Sequence, residues 1–449
     1  MYVCGPTVYD YIHIGNARPL VVFDTLHRYF KWKGYQVKYV VNFTDIDDKI
    51  INRSKAENAG FQEISERYIA AFKDQAGQLN LLEEETVHPR ATDTIPEILD
   101  FIGGLIEKGA AYDAEDAVYF DVSKLDDYGK LSKKNIEDLM AGARIRVNEQ
   151  KEDPLDFALW KKQKEEGEPA WDSPWGPGRP GWHIECSAMA KTILGDTIDI
   201  HAGGADLQFP HHENEIAQSE TLNEQDFARY WMHNSMITVT SESGAHEKMS
   251  KSKGNFWTLK DISEEYDLIL VRMWLLSAHY RSPINFSKEV MDQTYNGYQR
   301  LINGKSKMER LLDFAEDRDL SDKDRDLLDR VMDRRADFER VMDDDLNTAD
   351  ALTALYEIVK LSNSELDETS PKQLVDRIYA VFTELMEVLG LKDFSVEEIL
   401  DEEIDRLIEE RTQARKNKDF KRADEIRDQL KDRGIILKDT PTGVTWTRE

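Results

Sequence analysis

A short motif near the start of the chain combines residue types that can bind a phosphate group. His13, Gly15 and Asn16 lie in the tetrapeptide HIGN, where a strand would be followed by a helix. The glycine lets the backbone approach a ligand closely, and a helix N-terminus attracts anions. The imidazole and the amide can donate hydrogen bonds to oxygens on which charge develops. By itself the motif is weak evidence for a phosphate site, because a turn that contains a histidine by chance can have the same four residues.

A second motif, KMSKS, places two lysines three positions apart. Lys248 and Lys251 stand with two serines after a predicted strand, an arrangement that suits a mobile clamp on a triphosphate. A lysine-rich loop is usually only solvated. However, the two motifs in this order in one chain arise by chance far less often than either alone, and we interpret them as parts of one nucleotide site.

The chain contains only two cysteines, Cys4 and Cys186, which lie far apart in the sequence. Such a pair gives neither a disulfide framework nor a metal signature of the CxxC kind. On spacing alone, the pair predicts two buried free thiols in a reducing cytoplasm.

An α/β framework must position these residues. Residues 35–43 (YQVKYVVNF) predict a buried strand, and residues 197–201 and 236–239 predict two more. Apolar residues recur every three or four positions between Ala17 and Lys33, which predicts a helix. Strand, glycine-containing turn, helix and strand together predict an α/β fold with a Rossmann-like doubly wound parallel sheet.

The remainder of the chain departs from this pattern. Residues 89–180 combine helical segments, a short strand (118–122) and a stretch rich in proline, glycine and tryptophan, which predicts an insertion that returns the chain to the sheet. After residue 287 the charged repeats indicate an α-helical bundle followed by a small C-terminal domain.

Composition and charge limit the classes of protein to which this chain can belong. The chain has 449 residues, 33% of them charged and 40% hydrophobic, and a net charge of -29. No apolar run approaches the ~18 residues that a membrane span needs, and no secretory signal is visible, so we expect no membrane partner and a cytoplasmic location. Residues 411–449 carry eleven basic and seven acidic side chains, a net charge of +4 that makes this tail a candidate polyanion contact.

Together, HIGN and KMSKS form the signature pair of class I aminoacyl-tRNA synthetases, and the surrounding residues resemble the cysteinyl-tRNA synthetases. The matching stretches are 3-VCGPTVYDYIHIGNARP-19, 42-NFTDIDDKI-50, 181-GWHIECSAM-189 and 200-IHAGGADLQFPHHENEIAQSE-220. The resemblance implies a monomeric cysteine–tRNA ligase that uses ATP with Mg²⁺, L-cysteine and tRNA(Cys). It also implies a longer segment before Cys4 than this sequence has.

The resemblance further implies six segments. They are the first half of the catalytic domain (1–90), a connective insertion (91–178), the second catalytic half (179–228), a KMSKS-bearing stem-contact region (229–288), a helical bundle (289–390) and an anticodon-binding domain (391–449). The basic tail falls in the last of these, which agrees with a tRNA partner.

The family holds one zinc ion at the floor of its amino-acid pocket, and Cys4 and Cys186 match the two thiolate ligands. The PHHENE segment supplies the other two ligands. Residues four apart share a helix face, so His211 and Glu215 suit the family pattern, although His212 with Glu215, three apart, is also geometrically allowed. Because zinc binds a thiolate far better than an alcohol, such a site separates cysteine from serine without editing.

The resemblance assigns further residues to the two small substrates. The cysteine-pocket residues are Gly5, Thr44, Trp182, His201 and Asp206. The ATP-binding residues are His13, Gly15, Asn16, Gly203, Gly204, Lys248 and Lys251, of which His13, Asn16 and both lysines are expected to act in catalysis. Without the resemblance, Thr44 and Asp206 would be interpreted as turn residues at strand ends and Trp182 as a core aromatic.

Two other functions fit parts of the sequence. A related ligase that joins cysteine to an amino-sugar inositol in mycothiol-type thiol biosynthesis shares the zinc pocket and both motifs, but it lacks the C-terminal tRNA domain. A non-catalytic RNA-binding paralogue would have no need for both lysines. The basic tail and the intact motifs therefore favour the tRNA ligase.

Replacement of Lys251 by alanine is expected to raise the activation free energy of cysteinyl-adenylate formation by about 3 kcal/mol. This is the loss typical when one hydrogen-bond donor to developing negative charge is removed. The affinity for ATP should change much less, since the lysine acts mainly in the transition state. The measurement is cysteine-dependent ATP–pyrophosphate exchange, with Lys253→Ala as the neighbouring control. A wild-type exchange rate in Lys251→Ala would remove this lysine from the mechanism.

Overall fold

A computed structural model of the chain describes most of its residues. They are residues 1–133, 150–240, 246–248, 257–392, 407–408, 410–415, 422–423, 426–427, 430, 435–440 and 443–448. The chain divides into two compact units, Met1–Lys392 and Asp393–Glu449. Lys251 lies outside the described residues, and only the backbone of Lys248 is described. Within the described ranges, no helix has the length and apolar character needed to cross a membrane.

The first unit mixes strands and helices up to residue 286 and is helical beyond it. Its described strands are β1 (Tyr2–Val3), β2 (Tyr39–Val41), β3 (Thr86–Val87), β4 (Ala111–Asp113), β5 (Ala117–Phe120), β6 (Phe157–Lys162), β7 (Gly178–Pro180), β8 (Ile198–Gly204), β9 (Ala228–Asn234), β10 (Ile237–Thr240), β11 (His246–Lys248) and β12 (Ile284–Phe286). Its described α-helices are α1 (Ile14–Trp32), α2 (Asp48–Glu57), α3 (Phe61–Gln78), α4 (Ile95–Glu107), α5 (Trp182–Leu194), α6 (Glu213–Asn223), α7 (Leu259–Ser263), α8 (Leu268–Leu276), α9 (Lys288–Phe314), α10 (Asp322–Asp343), α11 (Thr348–Glu365) and α12 (Lys372–Val388).

Five strands form one parallel sheet in the order β3-β2-β1-β8-β9. β1 is central: the chain first builds towards one edge through β2 and β3, and later returns to add β8 and β9 on the other side. The order therefore reverses between β1 and β8. In doubly wound sheets, ligands bind in the crevice at the carboxyl ends of the strands beside such a reversal. The predicted fold class is confirmed.

The strand predicted over residues 35–43 is shorter in the structure, where β2 covers Tyr39–Val41. The reason lies in its neighbour, because β1 has only two residues and pairs Tyr2 with Val40 and Val3 with Val41. Tyr35 consequently lies outside the sheet and is 64% exposed. Sequence composition identified the strand, but its length depends on the strand beside it.

The insertion between the two halves of the parallel sheet has its own antiparallel sheet, in the order β4-β5-β6-β7. Phe120, Phe157 and Trp160 of this sheet are buried in one core with Ile98 of α4 and Ile184 of α5. Because α5 begins two residues after β7, the packing of the insertion also fixes where α5 starts. α5 carries Trp182 and Cys186.

The helices α9 to α12 pack together as a bundle, and α1 reaches it from the parallel sheet. α1 has 19 residues and is therefore about 28 Å long. At its C-terminal end the Trp32 indole donates to Glu384 Oε1 of α12 at 2.6 Å. The Arg335 guanidinium lies 4.9 Å from the centre of the Trp32 ring and pairs with Glu384 at 2.8 Å. One helix therefore joins HIGN to the bundle.

A fully buried arginine in α8 joins three parts of this unit. Arg272 donates to Asp24 Oδ2 of α1 at 2.6 Å, to the Leu389 carbonyl at 2.7 Å and to the Leu79 carbonyl at 3.1 Å. Gly390 follows with φ +64, and a Cβ atom added there would lie 2.3 Å from Arg272 Cζ. Glycine is needed at this position both for its backbone conformation and for the space that the guanidinium takes.

In the second unit, β13 (Ile435–Thr440) and β14 (Gly443–Arg448) form an antiparallel hairpin. Leu407, Ile426 and Leu430 are buried together, with the partly buried Leu437 of β13 packed against them. The described part of this unit is thus a small helical and hairpin module.

Replacement of Gly390 by alanine is expected to lower the free energy of unfolding by about 3 kcal/mol, because a positive-φ penalty of about 1 kcal/mol adds to overlap with the buried guanidinium. Gly34 provides the matched control, since its φ is +88 and no atom lies within 4 Å of an added Cβ. Gly34→Ala should cost about 1 kcal/mol. Urea unfolding measures both values, and equal losses would contradict a steric role for Arg272.

Candidate active site

A cavity of about 360 Å³ opens at the carboxyl ends of β1, β8 and β9, beside the reversal in strand order. Eight residues selected from the sequence line it, namely Cys4, Gly5, His13, Gly15, Asn16, Trp182, Gly204 and Asp206. The other selected residues with described side chains, Thr44, Cys186, His201, His211 and Glu215, are buried and do not line the cavity. The residues chosen for cysteine and for ATP therefore converge on one place.

Four possible metal ligands meet at one end of this cavity. Cys4 Sγ lies 3.9 Å from Cys186 Sγ and 3.4 Å from Glu215 Oε1. His211 Nε2 lies 3.0 Å from the same Glu215 oxygen. One donor atom from each of the four residues falls within 4.8 Å of the others, and all four side chains are buried. Cys4 alone among them lines the cavity, so this cluster lies at its floor.

Two of these separations, from Cys4 Sγ to Cys186 Sγ and to Glu215 Oε1, match the edges of a tetrahedron around zinc. Two thiolates at about 2.3 Å from one tetrahedral zinc are about 3.8 Å apart, against the 3.9 Å observed between Cys4 and Cys186. A thiolate and a carboxylate oxygen on the same ion are about 3.5 Å apart, against 3.4 Å between Cys4 and Glu215. The donor set therefore fits this ion in chemistry and in size.

Burial and mutual contact shift the protonation of these groups. The hydrogen bond with Cys4 lowers the pKa of Cys186 to about 6 despite burial. Burial alone would raise the pKa of Glu215, but His201 and His211 hold it well below its usual value. Burial by itself would lower the pKa of His211, but the negative charges of Glu215 and Cys186 outweigh burial and raise this pKa to about 10. The cluster thus favours one thiolate and one carboxylate beside a protonated His211, while burial raises the pKa of the Cys4 thiol. A divalent cation that binds all four groups must therefore displace the protons of His211 and Cys4.

Two more histidines surround the cluster. His201 Nε2 lies 2.8 Å from Glu215 Oε2, the carboxylate oxygen that does not face Cys4. His212 Nε2 lies 3.3 Å from Cys4 Sγ, and its Nδ1 lies 2.8 Å from His233 Nε2. Cys4, His201, His212 and Glu215 form a second group that meets the same distance criterion, but only the group with His211 contains both cysteines. This favours His211 over His212, the choice that spacing left open.

The residues expected at the cysteine pocket divide into cavity-lining and supporting positions. The Trp182 ring stacks on His211 with centroids 4.3 Å apart and is 39% exposed. The backbone of Thr44 pairs with Thr7, one of the lining residues. Gly5 is needed for close approach, because a Cβ atom there would lie 1.8 Å from the Asn42 carbonyl oxygen.

Gly203 and Gly204, two of the three glycines expected at ATP, lie against different neighbours. A Cβ atom at Gly204 would lie 2.5 Å from Asp206 Oδ1, so this glycine makes room for a carboxylate at the cavity. A Cβ atom at Gly203 would lie 3.0 Å from Cε1 of His212, one of the buried histidines beside Cys4 and Glu215. Gly204 therefore faces the cavity and Gly203 the buried cluster.

HIGN begins α1 and pairs with the segment that follows KMSKS in the sequence. His13 is the N-cap of α1, and its Nδ1 accepts a hydrogen bond from the Asn16 amide at 3.2 Å. Ile14 donates its amide to the Trp257 carbonyl at 3.0 Å, and His13 forms an isolated antiparallel bridge with Thr258. Backbone hydrogen bonds thereby join HIGN to residues that follow KMSKS by five and six positions in the sequence.

Sequence reasoning missed several residues at the cavity. Lys49 lines it, with its ammonium group 5.3 Å from the centre of the Tyr9 ring. Residues 234–237 form another part of the lining, at the end of β9 and the start of β10. Lys49 lies within the matching stretch 42–50, which was a usable signal, whereas nothing in residues 234–237 marks them as functional.

Comparison with known proteins bears on the identity of this site. Residues 1–296 match the model of the tRNA synthetases class I (C) catalytic domain, residues 337–394 match a DALR domain, and residues 398–446 match the cysteinyl-tRNA ligase anticodon binding domain. A cysteine–tRNA ligase of Finegoldia magna is 57% identical over 448 residues, which cover 100% of this chain and 95% of that protein. One from Clostridioides difficile is 53% identical over the same coverage. The chain belongs to the cysteine–tRNA ligase family.

As a member of the cysteine–tRNA ligases, the chain is a class I aminoacyl-tRNA synthetase that ligates cysteine to tRNA, with ATP as cosubstrate. The match to the anticodon binding domain means that the amino-sugar ligase is not favoured. The match to the catalytic domain, together with the two cysteine–tRNA ligases, means that the binding-only paralogue is not favoured. Methionyl-tRNA synthetase of Mycobacterium tuberculosis, solved with methionyl-adenylate, has the same fold with a TM-score of 0.62 at 16% identity, covering 89% of this chain and 93% of that chain.

In this cysteine–tRNA ligase, Glu213 attaches helix α6, which carries Glu215, to the insertion. Its buried carboxylate accepts hydrogen bonds from the backbone amides of Gly129 at 3.0 Å, Leu131 at 3.2 Å and Ser132 at 2.9 Å. The next residue, Asn214, accepts from the Tyr128 hydroxyl at 2.5 Å. The third and fourth residues of HHENE, Glu213 and Asn214, therefore fix the orientation of the helix turn that joins His211 to Glu215.

Glu213→Gln is expected to lower the free energy of unfolding by about 2 kcal/mol, because the amide NH₂ group would face backbone donors and leave a buried N–H unpaired. Glu224→Gln, at the exposed end of the same helix, should change it by less than about 0.5 kcal/mol. Urea denaturation of both variants measures the difference. If the Glu213 variant matches wild type, the carboxylate does not secure this helix.

Proposed function

We propose that Cys4, Cys186, His211 and Glu215 hold one Zn²⁺ ion, and that this site selects cysteine during ligation to tRNA(Cys). The observation that carries the proposal is the set of four buried donor atoms within 4.8 Å of one another, with Cys4 at the floor of the cavity. When bound, zinc supplies a strong preference for a thiolate over an alcohol. The hydroxyl of serine is a much poorer ligand, which accounts for selection without an editing domain.

We infer that the remaining cavity residues orient the amino acid. Asp206 offers a carboxylate that can pair with the substrate ammonium group, while the half-exposed face of Trp182 packs against its side chain. Gly5 keeps the floor narrow. Thr44 and His201 act indirectly, since Thr44 supports the lining strand segment and His201 holds Glu215. Cysteine is thus expected to be held with its carboxylate towards HIGN.

We assign the other end of the cavity to ATP with its Mg²⁺. His13 and Asn16 are proposed to stabilise phosphate oxygens, and Gly15 and Gly204 to let the nucleotide approach the backbone. The cysteine carboxylate then attacks the α-phosphorus in line, forming cysteinyl-adenylate as pyrophosphate leaves, with Lys248 and Lys251 sharing the developing charge. The terminal adenosine hydroxyl of the tRNA next attacks the carbonyl and AMP leaves.

The partner and the setting follow from the same proposal. We propose tRNA(Cys) as the acceptor, recognised in part by the second unit with its basic residues 411–449. We further propose that the enzyme acts as a monomer in the cytoplasm, with the six segment boundaries predicted from the sequence. Sedimentation of the purified chain with and without tRNA measures the oligomeric state directly.

Cys4→Ser is expected to lose most of its zinc, because an alcohol leaves three groups to hold the ion. Cysteine-dependent ATP–pyrophosphate exchange should fall with it, and selection of cysteine over serine should collapse. Zinc content by mass spectrometry and exchange with serine as competitor provide the two measurements.

Val8→Thr is the matched control, since it introduces a hydroxyl at a buried cavity position without touching the ligand set. It should keep one zinc per chain and full selection of cysteine. A Cys4→Ser enzyme that retains a full zinc complement and still prefers cysteine would contradict the proposed function.

A further inference from the structure

Arg18, five residues after His13 on α1, is fully buried and binds four carbonyl groups. One terminal nitrogen donates to the Ser235 carbonyl at 2.8 Å and to the Met236 carbonyl at 3.2 Å. The other donates to the Ser282 carbonyl at 2.6 Å and to the His279 carbonyl at 3.3 Å. Within the described residues no carboxylate pairs with it, so backbone dipoles alone surround this charge.

These carbonyls belong to two segments that meet beside the cavity. Ser235 and Met236 line the cavity between β9 and β10. Residues 279–282 connect α8 to β12, and the Ser235 amide donates to the Tyr280 carbonyl of this connection at 2.8 Å. The Ile284 amide, at the start of β12, donates to the Met236 carbonyl at 3.4 Å. The guanidinium thus fastens both segments to α1.

The geometry of this contact requires arginine. A planar guanidinium presents donors in a fixed fork that can serve acceptors on two sides at once, whereas a lysine ammonium is a single point. The same helix carries His13, Gly15 and Asn16 on the cavity. Arg18 therefore sets the distance between the HIGN side of the cavity and the side formed by residues 234–237.

We propose that Arg18 is a positioning residue for ATP, holding residues 234–237 at the spacing from HIGN that the nucleotide needs. This inference rests on the proposed placement of ATP at that end of the cavity. It concerns neither the zinc ligands nor the cysteine pocket, so loss of Arg18 should affect one substrate and spare the other. A purely structural role would not make that distinction.

The test compares two buried arginines. Arg18→Lys is expected to raise the KM for ATP about tenfold in pyrophosphate exchange while the KM for cysteine stays within about twofold and zinc is retained. Arg272→Lys is the matched control, because Arg272 is equally buried and also binds backbone carbonyls, but away from the cavity. It should lose stability without a change in the KM for ATP. The inference is overturned if Arg18→Lys leaves that KM within twofold of wild type, or if both variants raise it equally.

Two further measurements separate the possible failures. His13→Ala tests the placement of ATP itself: if it leaves exchange unchanged, the proposed function of that end fails, whereas an impaired His13→Ala beside a normal Arg18→Lys rejects only the present inference. Should Arg18→Lys not fold, hydrogen exchange on the unaltered enzyme remains. Saturating ATP with Mg²⁺ should slow exchange at the Ser235 and Ile284 amides, and unchanged rates there would overturn the inference.

Discussion

A carboxylate buried completely beside two thiols is the constraint around which this site is built. An isolated charge of this kind is very costly to remove from water, so both oxygens of Glu215 must be compensated. One faces Cys4 and His211, and the other faces His201. Of those partners, Cys4 directly follows β1, His211 lies in the turn before α6, and His201 lies in β8. The three elements are thereby held together at the place where the strand order reverses.

The histidines around Glu215 have further partners of their own, farther from the carboxylate. The ring of His201 stacks on Trp231 of β9 with centroids 4.6 Å apart, and His212 reaches His233 on the same strand. On the opposite side, Glu213 turns away from the cluster and binds backbone amides of the insertion. The HHENE segment therefore has two faces, one acting on the cluster and one fastening the helix. This division explains why so many polar residues are buried in so short a stretch.

The sequence allowed prediction of the α/β fold and the helical bundle, because apolar periodicity carries that information locally. HIGN by itself gave weak evidence for a phosphate site, whereas the other residues that converge on the cavity were assigned through the resemblance to the cysteinyl-tRNA synthetases. Strand limits could not be predicted, since the length of β2 depends on the two residues available in β1. Helical spacing left His211 and His212 both open, and the observation that favours His211, its grouping with Cys186, needs the folded structure. Arg18 and residues 234–237 were not predicted to be functional, because their contacts use backbone carbonyl groups. Every residue type has a backbone carbonyl, so the sequence does not indicate such contacts.

The long helix α1 has a consequence for recombination between homologous enzymes. Its first turn belongs to the cavity, while its last turn is held by Glu384 and Arg335 of the bundle through Trp32. In a hybrid enzyme whose bundle comes from a homologue, the Trp32 indole would face bundle residues with which it did not evolve. The crossover point with the fewest conflicts is then not the visible border between sheet and bundle. A compatible exchange would have to treat the far end of α1 as part of the bundle and transfer both sides of the tryptophan contact together.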